Sequence, residues 1–149
     1  MEGGWRAGCR EGRQGSKGVK QRATAAACPC GGGAYASCCG RYHRGDIPAR
    51  AELLMRSRYS AYVLGLHDYL LATWHPQTRP ALQDLQGDDA RWLGLEVRAA
   101  RELGDEATVE FIARYRSAGR GHRLHETSRF LREGGRWFYL DGTFPQARS

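Results

Sequence analysis

A chain of 149 residues has room for one domain and an appendage, and its 41% apolar content suits a globular core. No apolar run approaches the ~20 residues that a membrane-crossing helix needs. The net charge of +7 is uneven: residues 1–27 hold six Arg and Lys against Glu2 and Glu11, so the first stretch carries +4 of it.

That stretch, MEGGWRAGCREGRQGSKGVKQRATAAA, is rich in Gly, Arg, Lys and Gln and has almost nothing to bury. A disordered basic tail is expected over 1–27. It lacks the apolar centre of a secretory leader, and the chain reads as cytoplasmic. Such a tail offers a weak handle for nucleic acid. A solvated tail without a partner is the simpler reading. Cys9, alone in it, reads as a bystander thiol.

The next string, CPCGGGAYASCCG, places Cys28, Cys30, Cys38 and Cys39 within twelve residues. In a reducing compartment, clustered cysteines point to a metal rather than to disulfides. Four soft thiolates around one ion suit tetrahedral Zn²⁺. Pro29 stiffens one half of the loop, and Gly31, Gly32 and Gly33 let the backbone turn sharply towards the sulfurs. Adjacent Cys38 and Cys39 can both ligate if the backbone there is helical, because their side chains then diverge by ~100°. Arg41 and Arg44 are near enough in sequence to offset the charge of the thiolates. His43, four residues after Cys39, competes as a ligand in place of Cys38 or Cys39. Four protein ligands leave no open position for water, which makes the site structural rather than catalytic.

Residues 49–64 predict an amphipathic helix, with Ala51, Leu54, Met55, Tyr59, Tyr62 and Val63 on one face and Gly65 as its stop. Asp68 can cap a second helix over 69–74 that His75-Pro76 ends. Pro80 and Gly87 bracket a third over 80–86. The period then changes. Residues 91–101 alternate, with Leu93, Leu95, Val97 and Ala99 on one side, and residues 107–116 alternate with Ala107, Val109, Phe111, Ala113 and Tyr115. Two further strands are expected over 122–132 and 136–141, and LGDE, SAGRG and EGG supply the turns. Helices followed by a four-stranded antiparallel meander make an α+β fold.

Arg58 lies inside the apolar stripe of the first helix. A charge on a buried face must be paired or meet a ligand. Its partner is either an acid on the sheet (Glu110, Glu126 or Asp141) or an anion in a pocket. His75, fixed between Trp74 and Pro76, reads as a satisfied histidine at the rim of the core. His122 and His125 fall on opposite faces of a strand and cannot act together. No nucleophile–base pair has a suggestive spacing, and no phosphate-binding loop is present. Trp74, Trp92, Trp137 and Phe138 could stack on bases, but their places at helix ends and in strands favour core packing.

The cysteine string resembles the SEC-C motif, the small zinc-binding module also found in the SecA translocation motor, with one residue fewer between Cys30 and Cys38. LMRSRYSAYVLGLHDYLLATWHP (54–76), RWLGLEV (91–97) and TSRFLREGGRWFYLDGT (127–143) are similar, in that order, to the bacterial YchJ-like family of SEC-C-containing proteins. The resemblance implies a SEC-C-like zinc motif over 28–46 and a nuclear-transport-factor-2-like domain over 47–146. In that domain a cone of helices packs on a curved four-stranded sheet. It implies no particular activity. The SEC-C module of SecA is associated with chaperone and ribosome contact, so a role near translation or secretion is one implication.

Two functions follow as expectations. One is a non-enzymatic interaction protein that meets a protein or ribonucleoprotein partner through Tyr35, Arg41, Tyr42 and Arg44 beside the metal. The other is a small-molecule binder or enzyme that uses Arg58, His75 and Asp141 in the cone.

Overall fold

The glycine-rich string runs into a 3-10 turn, Tyr35–Ser37, and a short helix α1, Cys39–His43. Helix α2 follows over Ala51–Leu64, then α3 over His67–Ala72 and a 3-10 turn at Leu82–Asp84. Four strands complete the chain: β1 Arg91–Leu103, β2 Glu106–Ser117, β3 Arg120–Glu133 and β4 Arg136–Thr143. The computed structural model describes residues 26–85 and 90–144; the basic tail up to residue 25, with Cys9, lies outside them.

Helix α2 organises the fold. Its first N–H, that of Ala51, donates to the Glu102 carboxylate of β1 at 2.8 Å, which ties the helix start to the sheet. At its end Gly65 is left-handed (φ 74°), and the Leu66 N–H reaches back to the Ala61 carbonyl at 2.8 Å. Leu54, Met55, Arg58 and Tyr59 are buried as the apolar stripe requires, but so are Ser57, Ser60 and Ala61. Helix α2 is thus covered on two sides, by the sheet and by the cysteine loop. Tyr62, expected inside, is 36% exposed at the rim.

The sheet is an antiparallel meander in the order β1-β2-β3-β4. In β2 the expected Ala107, Val109, Phe111 and Ala113 are buried, Tyr115 is half-buried, and Ile112 of the opposite face is buried as well. The expected alternation fails in β1. Register shifts between Trp92 and Gly94 and between Val97 and Ala99 change which side chains point inward. Trp92, Leu95 and Val97 therefore pack on the core, while Leu93 is 54% exposed. Between β3 and β4, Gly134 and Gly135 both have positive φ, as a two-residue hairpin turn requires.

The second helix begins at His67 rather than at Tyr69. The expected third helix shrinks to one 3-10 turn: Leu82 is 38% exposed, so there is no apolar face to bury, and the Asp84 carboxylate takes the Ala81 N–H. Residues 73–75 run along β4, with Tyr139 N–H donating to the Thr73 carbonyl at 2.9 Å and His75 N–H to the Tyr139 carbonyl at 2.7 Å. The core of Leu54, Met55, Tyr59, Val109, Phe111 and Phe130 continues without a break into Cys28, Cys30 and Cys39.

Candidate metal centre

The loop that carries the first two cysteines is closed by backbone bonds. Cys28 N–H donates to the Gly33 carbonyl at 2.7 Å, and Gly31 N–H to the Cys28 carbonyl at 2.9 Å. A Cβ on Gly32 would stand 2.9 Å from Cys38 Sγ and 3.2 Å from Cys30 Sγ, so only glycine admits the sulfurs here. Cys38 caps helix α1 and Cys39 opens it, so the adjacent side chains diverge and both still reach the loop.

The result is one cluster. The Sγ atoms of Cys28, Cys30, Cys38 and Cys39 all lie within 4.8 Å of one another, and Cys30 and Cys38 are 3.6 Å apart. Zinc–sulfur bonds of ~2.3 Å set a tetrahedron edge of about 3.8 Å, so the four sulfurs already stand at metal-binding spacing. Without a metal the thiols crowd one another. The Cys30 thiol is pulled down to about 5, chiefly by a hydrogen bond from Cys39, then from Cys38 and Cys28, against the effect of burial. Burial, with the hydrogen bond to Cys30 next, pushes Cys38 up to about 11. The hydrogen bond to Cys30, with burial next, pushes Cys39 up as well. One thiolate is held by its neighbours; a divalent ion would displace the remaining protons.

His43 does not reach the cluster. Its Nε2 lies 2.9 Å from the Ser57 carbonyl, which can only accept, so Nε2 carries the proton. Its Nδ1 then accepts from the Tyr35 hydroxyl at 2.6 Å. Both ring nitrogens are engaged, and burial lowers the imidazole pKa.

The surroundings of the sulfurs differ from expectation. Arg41 pairs with Asp46 at 3.2 Å, and Arg44 donates to the Ala36 carbonyl at 3.0 Å. Arg56 of α2 is the cation on the loop: Nη1 donates to the Cys30 carbonyl at 3.3 Å while Nε pairs with Glu52 at 3.0 Å. Ser60 Oγ is 3.5 Å from Cys28 Sγ. Neither Arg56 nor Ser60 was legible as a neighbour of the cysteines, because only the packing of the loop on α2 brings them there. Of the expected partner surface, Tyr42 is 8% exposed and the Tyr35 hydroxyl is taken by His43, which leaves Arg41 and Arg44 outside.

A second concavity lies between α2 and the sheet. It measures about 230 Å³ and is walled by Met55, Tyr59, Trp92, Phe111, Leu124 and Phe130. Arg58, Glu126, Ser128 and Tyr139 add polar groups, and Tyr62 stands at the rim. Arg58 is 5% exposed and forms no ion pair with Glu110, Glu126 or Asp141. Its Nη1 donates to the Leu70 carbonyl at 2.8 Å and to Thr73 Oγ1 at 2.7 Å. Its guanidinium carbon sits 4.8 Å from the Trp74 ring centre and 4.5 Å from that of Tyr139.

Arg58, His75 and Asp141 do not converge. His75 is buried, but its Nδ1 accepts from the Gln77 N–H at 3.1 Å and its Nε2 donates to Glu133 at 2.8 Å, away from the cavity. Asp141 forms a two-pronged pair with Arg129, at 2.7 Å in each arm, on an exposed part of the sheet. That pairing holds the Asp141 carboxyl below its usual range. A register shift between Arg129 and Phe130 turns Asp141 away from the cone. Trp137 is in the core and Trp92 walls the cavity, so neither is presented for stacking on bases.

Residues 50–142 match the model of a domain described as YchJ, middle NTF2-like domain (YchJ_M-like). The chain belongs to this family. It is 59% identical over 124 residues to a UPF0225 protein of Chromobacterium violaceum, which covers 78% of this chain and 92% of that one. It is 61% identical over 117 residues to a UPF0225 protein of Methylibium petroleiphilum, covering 77% and 86%. In three dimensions this YchJ-like chain is similar to a SEC-C motif containing protein from Rhodopseudomonas palustris solved in solution. The TM-score is 0.75 and the identity 38%, over 79% of this chain and 98% of that one. A crystal structure of a SEC-C motif containing protein from Psychrobacter arcticus matches with TM-score 0.67 and 30% identity, over 81% and 84%. No helix among the described residues of this YchJ-like chain is long and apolar enough to cross a membrane.

Proposed function

We propose that the four cysteines hold one structural zinc ion and that the protein is a non-enzymatic interaction protein of the cytoplasm. The observation that carries this reading is the mutual approach of the four Sγ atoms to within 4.8 Å. Donor chemistry supports zinc: an all-thiolate tetrahedral set suits Zn²⁺ and has no vacancy for a reacting water. The ion would clamp the glycine loop and helix α1 onto α2. That fixes the exposed turn Gly31–Gly33, with Arg41 and Arg44, as a rigid surface for a protein or ribonucleoprotein partner. The chain is similar to SEC-C motif containing proteins, and the presence of that motif in the SecA translocation motor is our ground for a place near translation or secretion.

Elemental analysis of the purified protein tests the metal: about one zinc per chain is expected, and none in a Cys28→Ser, Cys30→Ser variant. Affinity capture from a bacterial lysate tests the surface. An Arg41→Glu, Arg44→Glu variant that keeps its zinc should lose the captured partner, and full retention would defeat the interaction reading.

A second reading is favoured by one observation, the buried Arg58 in the wall of the cone cavity. On it, the cone binds a small molecule.

A further inference from the structure

Among the polar groups of the cone cavity are two opposite charges, Arg58 and Glu126, that form no ion pair. Arg58 spends Nη1 on the Leu70 carbonyl and Thr73 Oγ1, and its Nε and Nη2 have no acceptor among the described residues. Across the cavity, Glu126 is 8% exposed and accepts at Oε2 from Ser128 at 2.8 Å and from Tyr139 at 3.1 Å. Its Oε1 has no donor among the described residues. Both side chains are held firmly. Trp74 and Tyr139 flank the guanidinium, and a Cβ on Gly142 would collide with the Glu126 carboxylate. Burial, and then Glu126, push the Tyr139 hydroxyl pKa up, so the hydroxyl stays a donor to the carboxylate.

Free donors on α2 and a free acceptor on β3, in a cavity whose other walls are mostly aromatic and aliphatic, favour a particular kind of ligand. These free atoms face the cavity, where the head of a ligand can meet them. A carboxylate ligand would satisfy Arg58 but set a second anion against Glu126. An ammonium would satisfy Glu126 but face the guanidinium. A neutral head that accepts at one atom and donates at the next satisfies both, and its apolar body fills the space between Trp92 and Phe111. We propose that the cone binds small planar molecules with a carboxamide-type head, the carbonyl oxygen on Arg58 and the amide N–H on Glu126. This inference rests on the second reading above, that the cone binds a small molecule at all.

Three probes with one body and different heads separate the cases: benzamide, benzoate and benzylammonium. Each is titrated into the zinc-loaded full chain, and resonances of Trp92, Phe111 and Tyr139 are followed by NMR. Benzamide should bind about tenfold more tightly than either charged probe, because each charged head faces its like across the cavity. Glu126→Gln keeps the shape and an acceptor for Ser128 and Tyr139 but removes the negative charge. In that variant benzoate should gain about tenfold while benzamide weakens for want of the anionic acceptor of its N–H, so that benzoate overtakes it. Arg58→Met should weaken benzamide without helping benzoate. If benzoate or benzylammonium matches benzamide in the unaltered protein, or Glu126→Gln leaves the order unchanged, the head-group assignment is wrong and the cavity remains a binding site. If no probe shifts any of the three resonances, the cone is not a site for molecules of this kind and both readings fall.

Discussion

His43 Nε2 donates to the carbonyl of Ser57 at 2.9 Å, so helix α1 hangs from the middle of α2 by the imidazole that spacing alone offers as a metal ligand. His43→Ala should therefore keep its full zinc content and lose about 1–3 kcal/mol of stability, the cost of a buried hydrogen-bonding group left unmade. Elemental analysis and thermal unfolding check the two halves. A folded His43→Ala protein short of zinc would instead make His43 a ligand.

The same imidazole carries a pH signature. Burial lowers its pKa in the folded protein, while the unfolded chain takes up the proton near the ordinary value of ~6.5. Its contribution to stability is thus fully present above about pH 6.5 and is lost as pH falls from there towards the folded value. The stability difference between the native protein and His43→Ala should shrink on acidification across that window. Acid also protonates the cysteines, but it does so in both proteins, so the difference isolates His43. A gap that stays constant would contradict this tautomer.

Gly32→Ala should weaken zinc binding by about ten- to a hundredfold, the usual range for disturbing groups that orient metal ligands. The added Cβ would sit 2.9 Å from Cys38 Sγ and must push that sulfur aside. Competition against a chromophoric chelator reads the affinity. An unchanged value would mean that the loop is loose enough to take a Cβ beside Cys38 Sγ.

Zinc removal should be felt beyond the loop. Cys28, Cys30 and Cys39 are part of the same buried cluster as Leu54, Met55 and Phe130, and on α2 Ser60 Oγ lies 3.5 Å from Cys28 Sγ while the Ser57 carbonyl takes the His43 N–H. Chelation should lower the unfolding temperature of the whole domain, and amide exchange in α2 should accelerate with that in α1. If only residues 28–46 lose protection, the motif and the cone are independent units.

Two pairs of like charges stand directly opposite on the sheet, Arg91 with Arg116 and Arg114 with Arg123, all exposed. Cross-strand repulsion of this kind costs ~0.2–1 kcal/mol per pair. Arg123→Glu should stabilise the protein by an amount in that range, with the gain fading in high salt. Urea unfolding at two ionic strengths measures it.

The cysteine cluster was legible because its four members are nearly contiguous and the glycines that permit their approach lie between them. Helix α2 and strand β2 were legible because their apolar residues recur at helical and strand spacing, although Ser57, Ser60 and Ile112 are buried outside those patterns. Strand β1 was not, since two register shifts move Leu93 outward and Trp92 inward without any mark in the sequence. The register shift beside Arg129 likewise hid that Asp141 would leave the cone. Arg58 was found by its place in the stripe. Glu126 was weighed as its ion partner, because the cavity that separates α2 from β3 there leaves no mark in the sequence. His43 was ambiguous for a different reason: helical spacing brings it near the sulfurs, but Tyr35 and Ser57 decide where the ring turns.

The run of residues 73–75 along β4 bears on how copies of this chain behave at high concentration. A bare strand edge is a template for another strand, and open meanders have two of them. Here one is partly occupied by the chain's own Thr73 and His75. The other, β1, is studded with Arg91, Glu96, Arg98, Arg101 and Glu102. Deleting the backbone pairing at Thr73 would uncover a sticky border beside Trp137 and Phe138. The first symptom of damage there would be fibrous or amorphous self-association rather than a lost binding function.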